Sequence, residues 1–128
     1  MLRRTALTAL ILLAAIPTFA APKVVPRFNA YFASAFTDAA YQKEAAAKVL
    51  KGWKPAAGPE AGKKTVLIAI IARDGKLQGL RDHLMTGSKP WDDAAIAAVK
   101  AAAPFAPLPK TYPHPTLEVH FHFEAAAR

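Results

Sequence analysis

Near the end of the chain, Glu118, His120, His122 and Glu124 alternate with Leu117, Val119, Phe121 and Phe123. Alternation puts the polar four on one face of an extended strand and the apolar four on the other. Two imidazoles two residues apart are spaced to share a zinc or nickel ion, which makes His120 and His122 the only metal candidates worth weighing. Two ligands with carboxylates a step further out make a thin coordination set, and ordinary polar residues on a wet strand face are the simpler account. No resident metal and no other cofactor is expected. Asp92 and Asp93 are neighbours in a helical segment, so their side chains diverge by about 100° and are poorly placed as an acid–base pair; negative charge at a helix start explains them better. His83 and His114 stand alone in the sequence and read as solvated. The chain has no cysteine, no serine in a nucleophile elbow and no glycine-rich phosphate loop. These absences point away from an enzyme and toward a binding protein.

Positioning those residues requires a small set of elements. The chain of 128 residues holds one domain. Phe28, Tyr31, Phe32 and Phe36 recur at i, i+3, i+4 and i+8, which predicts an aromatic stripe along one face of a helix. Thr37 and Asp38 offer a cap for a second helix, rich in Ala, Lys and Glu, that carries Tyr41, Ala45, Val49 and Trp53 on one side and ends before Pro55. Residues 65–72 form an almost continuous apolar run with β-branched content, a strand buried on both faces. Asp74-Gly75 predicts a two-residue hairpin turn into a second strand through Leu77, Leu80 and Leu84, with a bulge at Gly79. Pro90, Asp92 and Asp93 open a further helix whose inner face is Ala95, Ile96, Val99 and Ala103. Pro104, Pro107 and Pro109 stiffen the connector to the last strand. Trp53 and Trp91 read as core anchors.

The first twenty residues give the address. Arg3 and Arg4 precede an eleven-residue apolar stretch, 6–16, and Thr18-Phe19-Ala20 supplies small residues at the positions a signal peptidase reads. Cleavage after Ala20 is expected, because eleven apolar residues stopped by Pro17 fall short of the roughly 20 needed to span a bilayer. Membrane contact is expected only if that signal stays uncleaved. Of the 17 basic residues two lie in the signal, which leaves fifteen against nine acidic ones and a mature charge of +6. Export argues against nucleic acid as the partner of this charge. In the envelope it would meet anionic lipid, cell-wall polymer or an acidic protein patch, and solubility alone is the simpler account.

These elements assemble as an α+β sandwich in the order α-β-β-α-β, with a three-stranded antiparallel sheet and helices packed on it. The doubly apolar run 66–71 belongs in the middle, which leaves the last strand at an edge. Its second face needs cover, from the aromatic stripe or from a second copy of the chain in a homodimer. An edge strand presents unpaired backbone donors and acceptors on which a partner segment can build.

At this point the chain resembles the C-terminal domain shared by TonB and TolA, the periplasmic ends of envelope energy transducers. The resemblance rests on Tyr41 and Val49 with Trp53-Lys54-Pro55, on Arg73-Asp74-Gly75, and on Thr86-Gly87. It continues through the run from Trp91 to Val99, the prolines from Pro104 to Pro109, and the closing strand 117–123. Families of this kind bind proteins, commonly by pairing a partner segment with the edge of the last strand, and have no catalytic residues.

The resemblance implies a domain at 38–124, after a signal peptide at 1–20 and a leader with the aromatic stripe at 21–37, and before a tail at 125–128. The leader is short. About twenty residues separate the expected cleavage site from Tyr41, and at about 3.5 Å per extended residue they reach at most about 70 Å, so a stand-alone periplasmic relative is expected. The leading function is a periplasmic protein-interaction module in which an envelope partner, an outer-membrane receptor or a periplasmic segment, adds to the edge formed by Leu117, Glu118, Val119, His120, Phe121, His122 and Phe123. Two alternatives stay open: an energy transducer for outer-membrane transport anchored by an uncleaved signal, and a periplasmic metal-binding protein using His120 and His122.

Overall fold

A computed structural model describes residues 24–56 and 58–128. The predicted signal peptide lies outside the described residues. Six elements follow in order: strand β1 (Val24–Phe32), helix α1 (Ala39–Gly52), strands β2 (Lys64–Ala72) and β3 (Leu77–Leu84), helix α2 (Lys89–Ala102) and strand β4 (Thr116–Ala127).

The α+β class holds, but the sheet has four strands rather than three, all antiparallel, in the order β1-β4-β2-β3. As expected, β2 lies between β3 and β4. The extra strand is the segment predicted as an aromatic helix. A four-residue spacing such as Phe28 to Phe32 serves one face of a strand as well as one face of a helix. Val24, Val25 and the run of Phe, Tyr and Phe favour the extended form, and β4 supplies backbone partners along the whole segment. Phe28 and Phe32 therefore turn to the helix side, while Tyr31 falls on the opposite face and is 55% exposed.

Both helices cover one face of the sheet. α1 starts where the Asp38 carboxylate accepts the Tyr41 N–H at 2.9 Å, and it buries Tyr41, Ala45 and Val49. α2 has proline in its first turn and buries Trp91, Ala95, Ala98, Val99 and Ala102. Beneath them lie Leu67, Ala69 and Ile71 of β2 and Leu117, Val119, Phe121 and Phe123 of β4, all fully buried. Trp53 and Trp91 are core anchors, with rings perpendicular and 5.5 Å apart.

The aromatic stripe, one of the two predicted covers, does not lie on the other face of β2. Val66 and Ile68 point away from the helices, flanked in register by His122 and Leu84 and by His120 and Arg81. β1 extends the sheet beside β4 and does not stack on them; among the described residues no helix or strand does.

The β2–β3 hairpin also departs from expectation. Ala72 N–H donates to Lys76 O and Gly75 N–H to Ala72 O, both at 2.8 Å, so the loop has three residues, with Gly75 at φ +92° as its bulge. The extra residues of β3 fall beside Gly79 and again at His83, where the register with β2 shifts.

Candidate functional site at the sheet margin

The expected docking edge is already filled. β1 pairs with β4 in unbroken register from Val24 opposite Ala127 to Phe32 opposite Val119, and Ala33 N–H adds a bond to Glu118 O at 3.2 Å. On its other side β4 pairs with β2 from Thr116 to Glu124. Residues Leu117, Glu118, Val119, His120, Phe121, His122 and Phe123 thus form an interior strand. The edge assignment is corrected for a plain reason: it required the N-terminal aromatic segment to be helical, and as a strand that segment takes the vacancy.

Leu117, Val119, Phe121 and Phe123 are core residues, and Phe123 O also accepts the Trp91 indole N–H at 3.1 Å. The polar members lie on the open face. His120 Nε2 is 3.1 Å from Glu118 Oε2, and the Tyr31 ring meets the His122 ring edge-on at 4.6 Å. Partial burial pushes the His122 pKa down, and the nearby charges of Lys64, His120 and His83 push the same way against Glu124. His83 is not isolated: the β2–β3 register carries it to within 6.3 Å of His120, ring to ring, which sequence spacing could not reveal. His114 packs on Tyr112. Among the described residues no three His, Cys, Asp or Glu side chains converge on a point where a metal ion would sit.

With β4 enclosed, the sheet ends on β3 and β1 among the described residues. The outer edge of β3 is a poor template. Two register shifts break it, and it exposes Arg81, Asp82 and His83, the devices by which edges resist strand addition.

β1 is different. Its pairing to β4 has no shift, and the Ala33-to-Glu118 bond sets its phase. Val25, Arg27, Asn29 and Tyr31 aim their backbone groups at β4, and Phe28, Ala30 and Phe32 aim theirs outward. Pro26 falls in the outward phase, where its missing N–H costs the ladder nothing. Beside this margin runs a groove of about 380 Å³, with Phe28 and Phe32 on one side and Ala39, Gln42, Lys43 and Ala46 of α1 on the other.

The carboxylates near α2 separate in role. Asp93 forms an exposed pair with Lys89 at 2.8 Å. Asp92 is buried and binds Thr65, Thr86 and Gly87, a structural clamp rather than half of a catalytic pair. No described helix is long and apolar enough to cross a membrane.

Comparison with curated proteins and with solved structures returned no match. The family model described as TonB C terminal matches residues 38–123, from the cap of α1 through the core of β4. Domains of this family are interaction modules of the cell envelope, generally periplasmic, and are not enzymes. The match covers more than half of the chain, which therefore belongs to the TonB C-terminal domain family.

Proposed function

We propose that this protein is exported to the periplasm by its N-terminal signal and binds envelope partners there by adding an extended partner segment to the outer margin of β1. The observation that carries this reading is the outward phase of Phe28, Ala30 and Phe32 on a strand in unbroken register, next to a groove open for side chains. Backbone pairing supplies affinity and the groove supplies selection, the usual division of labour in strand addition. The small cleft lined by Tyr41, Glu44 and Lys48 is too narrow to admit a water molecule.

A photo-crosslinking residue at Asn29 is expected to capture envelope proteins in living cells, and one at Gln78 on β3 is not. Ala30→Pro removes one outward donor in the phase that already tolerates Pro26, and it should abolish the Asn29 adducts while the circular dichroism spectrum stays unchanged. Adducts that persist in the folded Ala30→Pro protein, or that form only from Gln78, would overturn the assignment.

A further inference from the structure

The groove beside β1 also constrains the chemistry of its occupant, and this inference rests on the strand-addition reading above. A strand added to β1 lies about 4.8 Å from it and sends alternate side chains to the helix side. There they enter the space between β1 and α1, where the α1 wall offers the small side chains of Ala39 and Ala46. Gln42 is neutral, and its amide donates one hydrogen bond to Phe36 O at 3.0 Å. Among the described residues Lys43 is the single charged residue lining the groove, and it is exposed with no described acid bonded to it. Without Arg3 and Arg4 of the signal, fifteen basic residues face nine acidic ones, a formal charge of +6 on the exported chain, so long-range attraction acts in the same direction as Lys43.

We infer that the partner segment is acidic, with a carboxylate directed at Lys43 and compact side chains beside Ala39 and Ala46. A second copy of the chain is the wrong occupant on charge: pairing β1 with β1 would bring two strongly positive molecules and two copies of Lys43 to one seam, with no acid in either groove.

Three synthetic peptides of about ten residues test this, alternating Thr with Asp, with Asn or with Lys, titrated calorimetrically into the purified exported protein at low salt. The Asp peptide is expected to bind about tenfold tighter than the Asn peptide, in line with a charge-assisted contact, and the Lys peptide most weakly. Lys43→Glu should reverse that order, and Lys43→Gln should leave only the small preference that the net charge supplies. Equal affinities, no binding of any peptide, or an order unchanged by Lys43→Glu overturns the inference. Ala30→Pro separates the two levels of argument. Loss of all peptide binding in that variant with no charge preference in the parent leaves strand addition standing and removes the acidic partner. Full binding in a folded Ala30→Pro protein removes both. Concentration-dependent dimers in the ultracentrifuge, lost in Ala30→Pro, would make the second copy the occupant and likewise overturn the acidic partner.

Discussion

Thr65 of β2 and Asp92 of α2 belong to different layers, yet the Thr65 hydroxyl donates a 2.6 Å hydrogen bond to Asp92 Oδ1 with both side chains buried. The same carboxylate accepts the Thr86 N–H at 3.1 Å, the Thr86 hydroxyl at 2.9 Å and the Gly87 N–H at 3.2 Å. One side chain thereby fastens the start of α2 to the centre of the sheet and holds the loop that enters it. Ser88, at the cap position, makes no side-chain capping bond, so Asp92 from inside the first turn binds the loop leading into the helix.

Asp92→Asn should destabilise the domain by roughly 2 kcal/mol, because an amide nitrogen would then face a donor that now meets an oxygen. Burial raises the Asp92 pKa, but the bonds from Thr65, Thr86 and Gly87 together outweigh it and hold the group below the ordinary carboxylate range. A folded pKa below the unfolded one means that the stabilisation is complete above the unfolded value, near 3.9, and fades as pH falls through the folded value. Urea denaturation from neutral pH down to about pH 2 is expected to show a steeper acid loss in the parent than in Asp92→Asn. Parallel curves would show that the clamp contributes nothing in its charged form.

Gly75 and Gly87 both have positive φ, +92° and +86°, and differ in what surrounds them. A Cβ on Gly75 would stand 2.0 Å from Phe105 O, and Gly75 O itself accepts the Phe105 N–H at 2.8 Å. The proline connector lies against the hairpin loop there, and Arg73 O takes the Leu108 N–H at 2.9 Å. Around Gly87 there is open space. Gly87→Ala should cost only the backbone penalty, about 1 kcal/mol, whereas Gly75→Ala should cost roughly 3 kcal/mol or more because backbone must move. Thermal melts of the two variants decide it, and equal losses would contradict the close approach.

Much of this arrangement was legible from particular residues. The alternation from Leu117 to Glu124 set the two faces of β4 correctly, the apolar run through Val66 and Ile71 set the central place of β2, and Asp38 with Pro55 bracketed α1. The failure was local. Phe28, Tyr31, Phe32 and Phe36 fit a helical spacing, and what decided against it was a partner more than eighty residues away, the unpaired side of β4. Long-range pairing leaves no mark in a window of ten residues. The candidate site moved with that single error, from β4 to β1. The His83 approach to His120 and the Thr65 bond to Asp92 were hidden for the same reason, since each depends on register or packing between elements.

The strand that filled the β4 margin supplies the last prediction. β1 contributes the inner halves of a continuous ladder, and Phe28 lies against Phe121, Phe123 and Trp53 with ring centroids at 6.0, 5.2 and 6.4 Å. No residue of β1 is itself buried, whereas its opposite numbers Val119, Phe121, Phe123 and Ala125 are fully so. Deleting residues 21–32 should leave a domain that keeps the helices and β2, but it bares the backbone of Glu118, His120 and His122 and uncovers aromatic surface beside them. The truncated protein is expected to form dimers or larger species that grow with concentration in light scattering. A synthetic peptide of residues 24–32 added in excess should return it to a monomer by refilling the margin, and a peptide with proline at Asn29, whose N–H points into the ladder, should not. A truncated protein that stays monomeric with an unchanged melting temperature would mean that β1 neither seals β4 nor shields the rings next to it.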